Sequence, residues 1–211
     1  MPVITLDAVS KAYRGRTLYR SANLQIEEGS ITAITGPNGA GKSVLFRIMC
    51  GFLAPDSGIV TIDPRFMSHG RTFPEKFGVI IDRPGYLAGK SGLNNLRELA
   101  AIRGVIGDEH IRQTMPLLGL DPDLRQPVRY YSLGMKQKLA IAQALMEDPR
   151  VLILDEPFNA LDADSVSNVK RILKELNSQG VTIVFTSHDS ADIDDMAAQR
   201  LVIRDECVVA A

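Results

Sequence analysis

The chain has 211 residues, of which 45% are hydrophobic, and a formal net charge of -1. Because 24 basic residues are balanced by 25 acidic ones, the chain offers no basic field for a nucleic-acid backbone, which argues against a DNA or RNA binder. No apolar run approaches the roughly 18 residues that cross a bilayer, and the first residues lack the apolar stretch of a signal peptide, so we expect a cytosolic protein.

Apolar runs and turn signals predict the elements in chain order. The segment up to Gly29 alternates in polarity, which favours antiparallel strands. Runs rich in Ile, Val and Leu predict four strands, at residues 31–35, 79–81, 151–154 and 181–185. The first, third and fourth runs are continuous, as in strands that are covered on both faces. Helical spacing follows Ser43 and again Asp164, so the chain reads as an α/β fold.

The domain organisation follows from length and from one change in composition. A chain of this length buries one core, with a lobe inserted into it, more readily than two independent cores. Residues 84–129 combine Gly, Leu and Arg with helical spacing, which predicts a helical lobe between two core strands. Cys50 and Cys207 lack partners at metal-ligand or CxxC spacing, so both are interpreted as core thiols.

The segment GPNGAGKS, residues 36–43, follows the predicted strand ITAIT and opens a helix. Its glycines let backbone N–H groups turn toward phosphate oxygens, and the helix N-terminus adds its positive dipole end. Lys42 would reach the β- and γ-phosphates, and the Ser43 hydroxyl would hold Mg²⁺. The order of the glycines does not match GxGxxG, which disfavours NAD or FAD. The residues predicted to bind nucleotide here are Gly36, Pro37, Asn38, Gly39, Ala40, Gly41, Lys42, Ser43 and Val44.

A second signal is the segment VLILDE, residues 151–156. Asp155 ends the predicted buried strand, where its carboxylate could hold the Mg²⁺ shell. Glu156 follows directly and is suitably placed to serve as the general base for an attacking water. The phosphate loop alone leaves kinases, GTPases, helicases and transport ATPases open.

The segment YSLGMKQKLAIAQAL, residues 131–145, resembles the signature region of ABC transporter ATPases. Asp162 in FNALD resembles the D-loop residue of that family, and His188 in TSH resembles its switch histidine. Tyr13 in SKAYRG resembles the aromatic residue on which adenine stacks. The motifs stand in family order, and the resemblance covers nearly the whole chain.

The resemblance implies an α/β fold with a P-loop NTPase (RecA-like) core, an N-terminal antiparallel β subdomain and an inserted α-helical subdomain. It implies a single domain over residues 1–211. Within it, residues 1–81 and 136–211 would form the core with the β subdomain, and residues 82–135 the helical subdomain with the signature motif. The cofactors implied are ATP and Mg²⁺.

The resemblance also implies a head-to-tail pair of such domains that encloses two ATP molecules. Ser132 and Gly134 would contact the γ-phosphate bound by the partner's loop. His188 would stabilise the developing charge, and Asp162 would link the two sites. Because the γ-phosphate bridges the two subunits, hydrolysis would reopen the pair. The implied catalytic residues are Glu156, His188 and Lys42.

Two features depart from the commonest family pattern. The signature reads YSLGM where LSGGQ is commonest, so Leu133 replaces a glycine and Met135 a glutamine. Asp82 occupies the Q-loop position, where its short side chain could reach Mg²⁺ only through water. Residues 84–87 are interpreted as part of a groove for a membrane subunit, or as a turn beside a core tyrosine. The predicted metal ligands are Ser43, Asp82 and Asp155.

The YSLGM variant most resembles the ATPase subunits of bacterial exporters for antibiotics, peptides and similar compounds. We therefore expect a transport ATPase with two kinds of partner: a second nucleotide-binding subunit and a transmembrane permease, which would hold it at the cytoplasmic face of the membrane. No nucleic acid is expected. The alternative is a soluble ABC-type ATPase acting on nucleic acid or ribosomes, although the chain has no heptad run, cysteine cluster or second P-loop. A P-loop kinase or GTPase is disfavoured because the chain lacks an NKxD guanine motif and because that reading leaves YSLGM unexplained.

Overall fold

A computed structural model describes residues 1–13, 15–68, 73–82 and 85–210 of the chain. Within these ranges the strands form two sheets, one of six strands and one of three. In chain order the strands are β1 (Pro2–Tyr13), β2 (Arg16–Glu27), β3 (Ile31–Thr35), β4 (Ser57–Ile62), β5 (Phe77–Ile80), β6 (Val151–Leu154), β7 (Thr182–Phe185), β8 (Gln199–Arg204) and β9 (Cys207–Ala210).

The larger sheet has the strand order β5-β6-β7-β3-β8-β9 and is parallel except for β9. Strands β6 and β7 are buried along their whole length, which explains their continuous apolar sequences. All four strands predicted from apolar runs lie in this sheet. Strands β8 and β9 were not among them, because each carries only a short apolar run. Arg200 and Arg204 flank the run of three residues in β8.

The smaller sheet is antiparallel, with the strand order β2-β1-β4. Strands β1 and β2 account for the antiparallel strands predicted before Gly29. Strand β4 was not predicted, because its residues are mostly exposed and its short apolar run is weak. Pairing with β1, in which Thr5 lies opposite Thr61, determines its conformation.

The helices are α1 (Lys42–Met49), α2 (Gly92–Arg103), α3 (Asp108–Leu117), α4 (Leu133–Leu145), α5 (Ala163–Ser178) and α6 (Ser190–Met196). Helices α2 to α4 lie between β5 and β6 in the chain, which confirms the predicted helical insertion. Helix α4 runs unbroken past residues 135 and 136. The subdomain boundary expected there falls inside a helix, and the division into residues 1–81, 82–135 and 136–211 stays a prediction.

Buried side chains form one apolar cluster on each face of the larger sheet. Leu152 and Leu154 of β6 belong to the cluster that includes the helical lobe and α5. Val151 and Ile153 of the same strand belong to the cluster that includes α1 and the smaller sheet. The sheet is therefore covered on both sides, and the carboxyl ends of its parallel strands remain at one edge for a site.

The two cysteines differ in exposure. Cys50 is fully buried, as predicted for a core thiol. The same prediction is wrong for Cys207, which begins the edge strand β9 and is exposed, because alternate side chains of such a strand face outward. The described residues contain no helix that is long and apolar enough to cross a membrane.

Candidate active site

The loop between β3 and α1 wraps around the first turn of α1. Nζ of Lys42 donates hydrogen bonds to the carbonyl oxygens of Gly36 at 2.8 Å and Pro37 at 3.4 Å. Gly41 has a φ of 100°, and a Cβ there would lie 2.5 Å from Oη of Tyr19, so only glycine fits. The loop presents backbone at a helix N-terminus, which is the arrangement that binds phosphate.

A cavity of about 670 Å³ opens beside this loop. It brings together predicted site residues from four separate motifs: Tyr13, Asn38, Gly39, Gly41, Lys42, Ser43, Val44, Asp155, Glu156 and His188. Three residues of the same loop, Gly36, Pro37 and Ala40, do not line it. The Tyr13 side chain is half-exposed at the cavity, where a ring could stack on it.

Asp155 follows β6 and joins two other parts of the site. Its Oδ2 accepts a hydrogen bond from Oγ of Ser43 at 2.5 Å, and its Oδ1 accepts one from Oγ1 of Thr186 at 2.8 Å. Two of the three predicted metal ligands are therefore in direct contact. Their role as ligands stays a prediction.

Glu156 has a φ of 51°, a left-handed conformation that few residues other than glycine adopt. Its Oε1 is buried, accepts no hydrogen bond of good geometry from the described residues, and lies 3.1 Å from Nε2 of His188. Burial raises the pKa of Glu156, and the Asp155 carboxylate raises it further, whereas His188 and Lys42 lower it. This carboxylate is suited to accept a proton in the cavity.

The residues present fit a nucleoside triphosphate with its Mg²⁺. The backbone N–H groups of the loop and the Lys42 side chain can donate to phosphate oxygens. Oε1 of Glu156 is buried and accepts no hydrogen bond of good geometry from the described residues. Within the described part of the chain, no three His, Cys, Asp or Glu side chains are arranged so that they could hold a metal ion. The Ser43 hydroxyl and the Asp155 carboxylate are oxygen donors of the kind that Mg²⁺ takes beside the oxygens of a nucleotide.

Known proteins are similar to this chain over most of its length. A family model described as ABC transporter matches residues 19–159, a span that contains the phosphate loop, the signature-like segment and Glu156. The chain belongs to the ABC transporter family of ATPases. As an ABC ATPase domain it binds ATP, with Mg²⁺ as the usual partner, and hydrolyses it.

Relatives of this ABC ATPase include two transport proteins. The bacitracin transport ATP-binding protein BcrA of Enterococcus faecalis is 34% identical over 197 residues, covering 92% of this chain but only 64% of BcrA. The lantibiotic transport ATP-binding protein SrtF of Streptococcus pyogenes is 33% identical over 195 residues, covering 92% of this chain and 84% of SrtF. A dimeric structure of a bacterial ABC transporter cassette is 26% identical, with a TM-score of 0.85 over 97% of this chain and 96% of that one. The predicted fold and family are confirmed.

The residues that resemble the family's signature and D-loop, Ser132, Gly134 and Asp162, do not line the cavity beside the phosphate loop, which is called the nucleotide cavity below. Ser132 caps α4, where its Oγ accepts a hydrogen bond from the N–H of Met135 at 3.1 Å, and Gly134 lies in the first turn of that helix. Asp162 caps α5 by accepting from the N–H of Ser165 at 2.8 Å. That N–H lowers the pKa of Asp162. Within a single chain, the structural role of Ser132 and of Asp162 is to cap a helix.

Asp82 lies two residues beyond the end of β5, with a φ of 58°. Its carboxylate forms an ion pair with Arg47 of α1. It also lines a second cavity, of about 650 Å³, together with Asp155 and Glu156. The structure therefore brings Asp82 near the predicted metal ligands but pairs it with an arginine, and its role as a ligand stays a prediction.

The segment after Asp82 was predicted to form a groove for a membrane subunit. Pro84 lies outside the described residues. Oη of Tyr86 donates a hydrogen bond to the carbonyl oxygen of Lys136 at 2.6 Å, and its ring lines the second cavity beside Glu156. Gly85 lines a different, apolar groove, so the segment borders both spaces.

Sequence reasoning did not single out several residues that line or support the nucleotide cavity. Arg16 and Leu18 of β2 line it. Thr186 bonds Asp155 and the backbone of Glu156, and Gln137 bonds the carbonyl oxygen of Glu156. Thr186 is the first residue of the TSH motif, and Gln137 lies in the signature segment. Neither was recognised from the sequence, because their contacts with Asp155 and Glu156 join segments that are distant in sequence.

Proposed function

We propose that this ABC ATPase drives transport across a membrane, as one of two nucleotide-binding subunits attached to a separate permease, and that the transport is export. Two relatives are named for bacitracin and lantibiotic transport, which supports antibiotics and peptides as the class of cargo. The YSLGM signature supports the same assignment. The permease would hold the protein at the cytoplasmic face of the membrane.

The observation that carries the proposal is the meeting of Lys42, Glu156 and His188 at one cavity. Oε1 of Glu156 would accept a proton from an attacking water as the water oxygen bonds to the γ-phosphorus and the bond to the β-γ bridging oxygen breaks. Lys42 would leave its own loop carbonyls for phosphate oxygens. His188, 3.1 Å from Oε1, would orient the carboxylate and stabilise the developing charge.

Ser43 and Asp155 would hold Mg²⁺, which neutralises phosphate charge when bound. Their direct contact, at 2.5 Å between Ser43 Oγ and Asp155 Oδ2, keeps both oxygens at the same corner of the cavity. The Tyr13 ring, at the rim, would stack on the adenine. Asp82 would join the metal shell only after releasing Arg47.

Ser132 and Gly134 would complete the site of a second subunit. Leu133, between them, is 74% exposed, and this segment forms the exposed start of α4. A phosphate of the partner's nucleotide would lie at the N-terminus of that helix, where the dipole favours negative charge. Asp162 would lie across the same interface. The dimeric cassette of similar fold supports this assembly.

The permease would dock in the apolar groove that Gly85 borders, a space of about 690 Å³ between α1, β5, α2 and α4. Phe52 and Ile102 line it and are 50% and 78% exposed. Ion pairs flank the apolar surface, one of them between Arg103 and Glu147 at 2.7 Å. An apolar groove with a charged rim suits an amphipathic helix.

Changing Glu156 to Gln tests the proposed mechanism. The amide keeps the shape of the side chain but accepts protons poorly, so we expect turnover to fall by at least about 100-fold while ATP binding persists. ATP should then trap a dimer, measured by size-exclusion chromatography with bound nucleotide. Hydrolysis at the wild-type rate in Glu156→Gln would exclude this residue as the base.

A further inference from the structure

The backbone of Glu156 is held on both sides by side chains from other elements. Oγ1 of Thr186 accepts a hydrogen bond from the N–H of Glu156 at 2.8 Å. Nε2 of Gln137 donates to the carbonyl oxygen of Glu156 at 3.2 Å and to that of Pro157 at 3.0 Å. Helix α4 and the segment after β7 therefore hold the same residue.

The conformation of Glu156 explains why such contacts are needed. With a φ of 51°, its Cβ crowds the backbone, and the residue would relax to an ordinary conformation if it were free. Conformations of this kind persist where the surroundings over-determine them. Relaxation would rotate the carboxylate away from the position 3.1 Å from Nε2 of His188.

Thr186 also sets the position of the neighbouring carboxylate. It is fully buried, and its hydroxyl donates to Oδ1 of Asp155 at 2.8 Å while it accepts from the N–H of Glu156. A hydroxyl has one proton to donate and lone pairs to accept with, so both bonds form at once. One side chain thus fixes Asp155 and Glu156 relative to each other.

We propose that Gln137 and Thr186 are positioning residues for hydrolysis, which hold the strained backbone of Glu156 so that its carboxylate stays in the nucleotide cavity. Neither residue lines that cavity. Both therefore act through the residues that they hold, which are Glu156 for Gln137 and Glu156 together with Asp155 for Thr186. The inference rests on the proposed role of Glu156 as the base.

Two near-isosteric variants test the inference. Gln137→Met keeps the length of the side chain without its donor, and Thr186→Val keeps the shape without the hydroxyl. We expect kcat to fall at least about ten-fold in each, because a displaced base slows only the chemical step. The KM for ATP and the affinity for a non-hydrolysable ATP analogue should stay within about two-fold of wild type. Thr186→Ser, which restores the hydroxyl, should recover most of the lost kcat.

Matched controls separate positioning from packing. Thr182→Val removes a buried hydroxyl from the other end of β7, where Oγ1 accepts from the N–H of Gly29 at 2.9 Å. Gln113→Met removes an exposed bond on α3, from Nε2 to Glu109 at 3.3 Å. Both controls should keep the wild-type kcat. A loss of kcat in Thr182→Val equal to that in Thr186→Val would show a general packing effect and overturn the proposal.

Hydrogen exchange at the Glu156 amide reports on the contact without hydrolysis. We expect faster exchange in Thr186→Val and the wild-type rate in Thr182→Val. If Glu156→Gln is inactive while Gln137→Met and Thr186→Val both keep the wild-type kcat, the positioning role alone is overturned. Retained hydrolysis in Glu156→Gln would instead overturn the base assignment, and the positioning role with it.

Discussion

At the scale of single residues, a hydrogen bond from Tyr19 connects the phosphate loop to the smaller sheet. Tyr19 of β2 is fully buried, and its Oη donates to the carbonyl oxygen of Gly41. A phenol of ordinary pKa is already protonated at neutral pH and can donate, and burial raises the pKa of Tyr19 further. The last loop residue before α1 is therefore tied to the smaller sheet.

Gly41→Ala should abolish ATP binding, because the new Cβ would lie 2.5 Å from Oη of Tyr19 and the residue has a φ of 100°. Equilibrium binding of ATP and thermal unfolding measure the effect. Gly104→Ala is the matched control, since that glycine has a φ of 66° but no atom within 4 Å of the added Cβ. The control should cost about 1 kcal/mol of stability and leave binding unchanged; equal binding by both variants would refute the steric explanation.

At the scale of elements, two helices begin at residues that the family resemblance marks as functional. Ser132 starts α4 and Asp162 starts α5, each as an N-cap. Capping satisfies backbone donors that would otherwise lack partners, so it explains both residues within one chain. A role across a subunit interface is compatible with this geometry, because a capped helix N-terminus still attracts phosphate.

The groove between the core and the helical lobe is the other feature at this scale. Ile102→Glu would place a charge on its apolar surface, so we expect loss of permease binding, measured by co-purification with the membrane subunit. Val105→Glu is the control, because Val105 is exposed at 57% and does not line the groove. Equal binding of the permease by both variants would show that it docks elsewhere.

At the scale of the whole molecule, the nucleotide cavity lacks the signature residues of its own chain. Ser132→Arg and Lys42→Ala proteins should each be inactive alone, since each variant breaks both sites of a symmetric dimer. A mixture should recover about a quarter of the wild-type ATPase rate, because half of randomly paired dimers keep one intact site. A steady-state ATPase assay measures this recovery, and an inactive mixture would argue against assembly in trans.

Much of the fold and of the nucleotide site was predictable because it is encoded locally. Strands β3 and β6 carry continuous apolar runs, and the functional loops begin where these strands end. Strand β4 was not predictable, since its conformation comes from pairing with β1. The ion pair between Asp82 and Arg47 could not be predicted from the sequence either, because the two residues belong to segments that are distant in sequence.

The sequence by itself determined the family, the α/β core and the group of residues from Tyr13 to His188 that meet at the nucleotide cavity. These depend on short motifs whose backbone and side-chain chemistry is local. Only the tertiary structure decided how Glu156 is held. Its positive φ and its bonds to Gln137 and Thr186 arise where three elements meet, and no short segment of sequence carries that geometry.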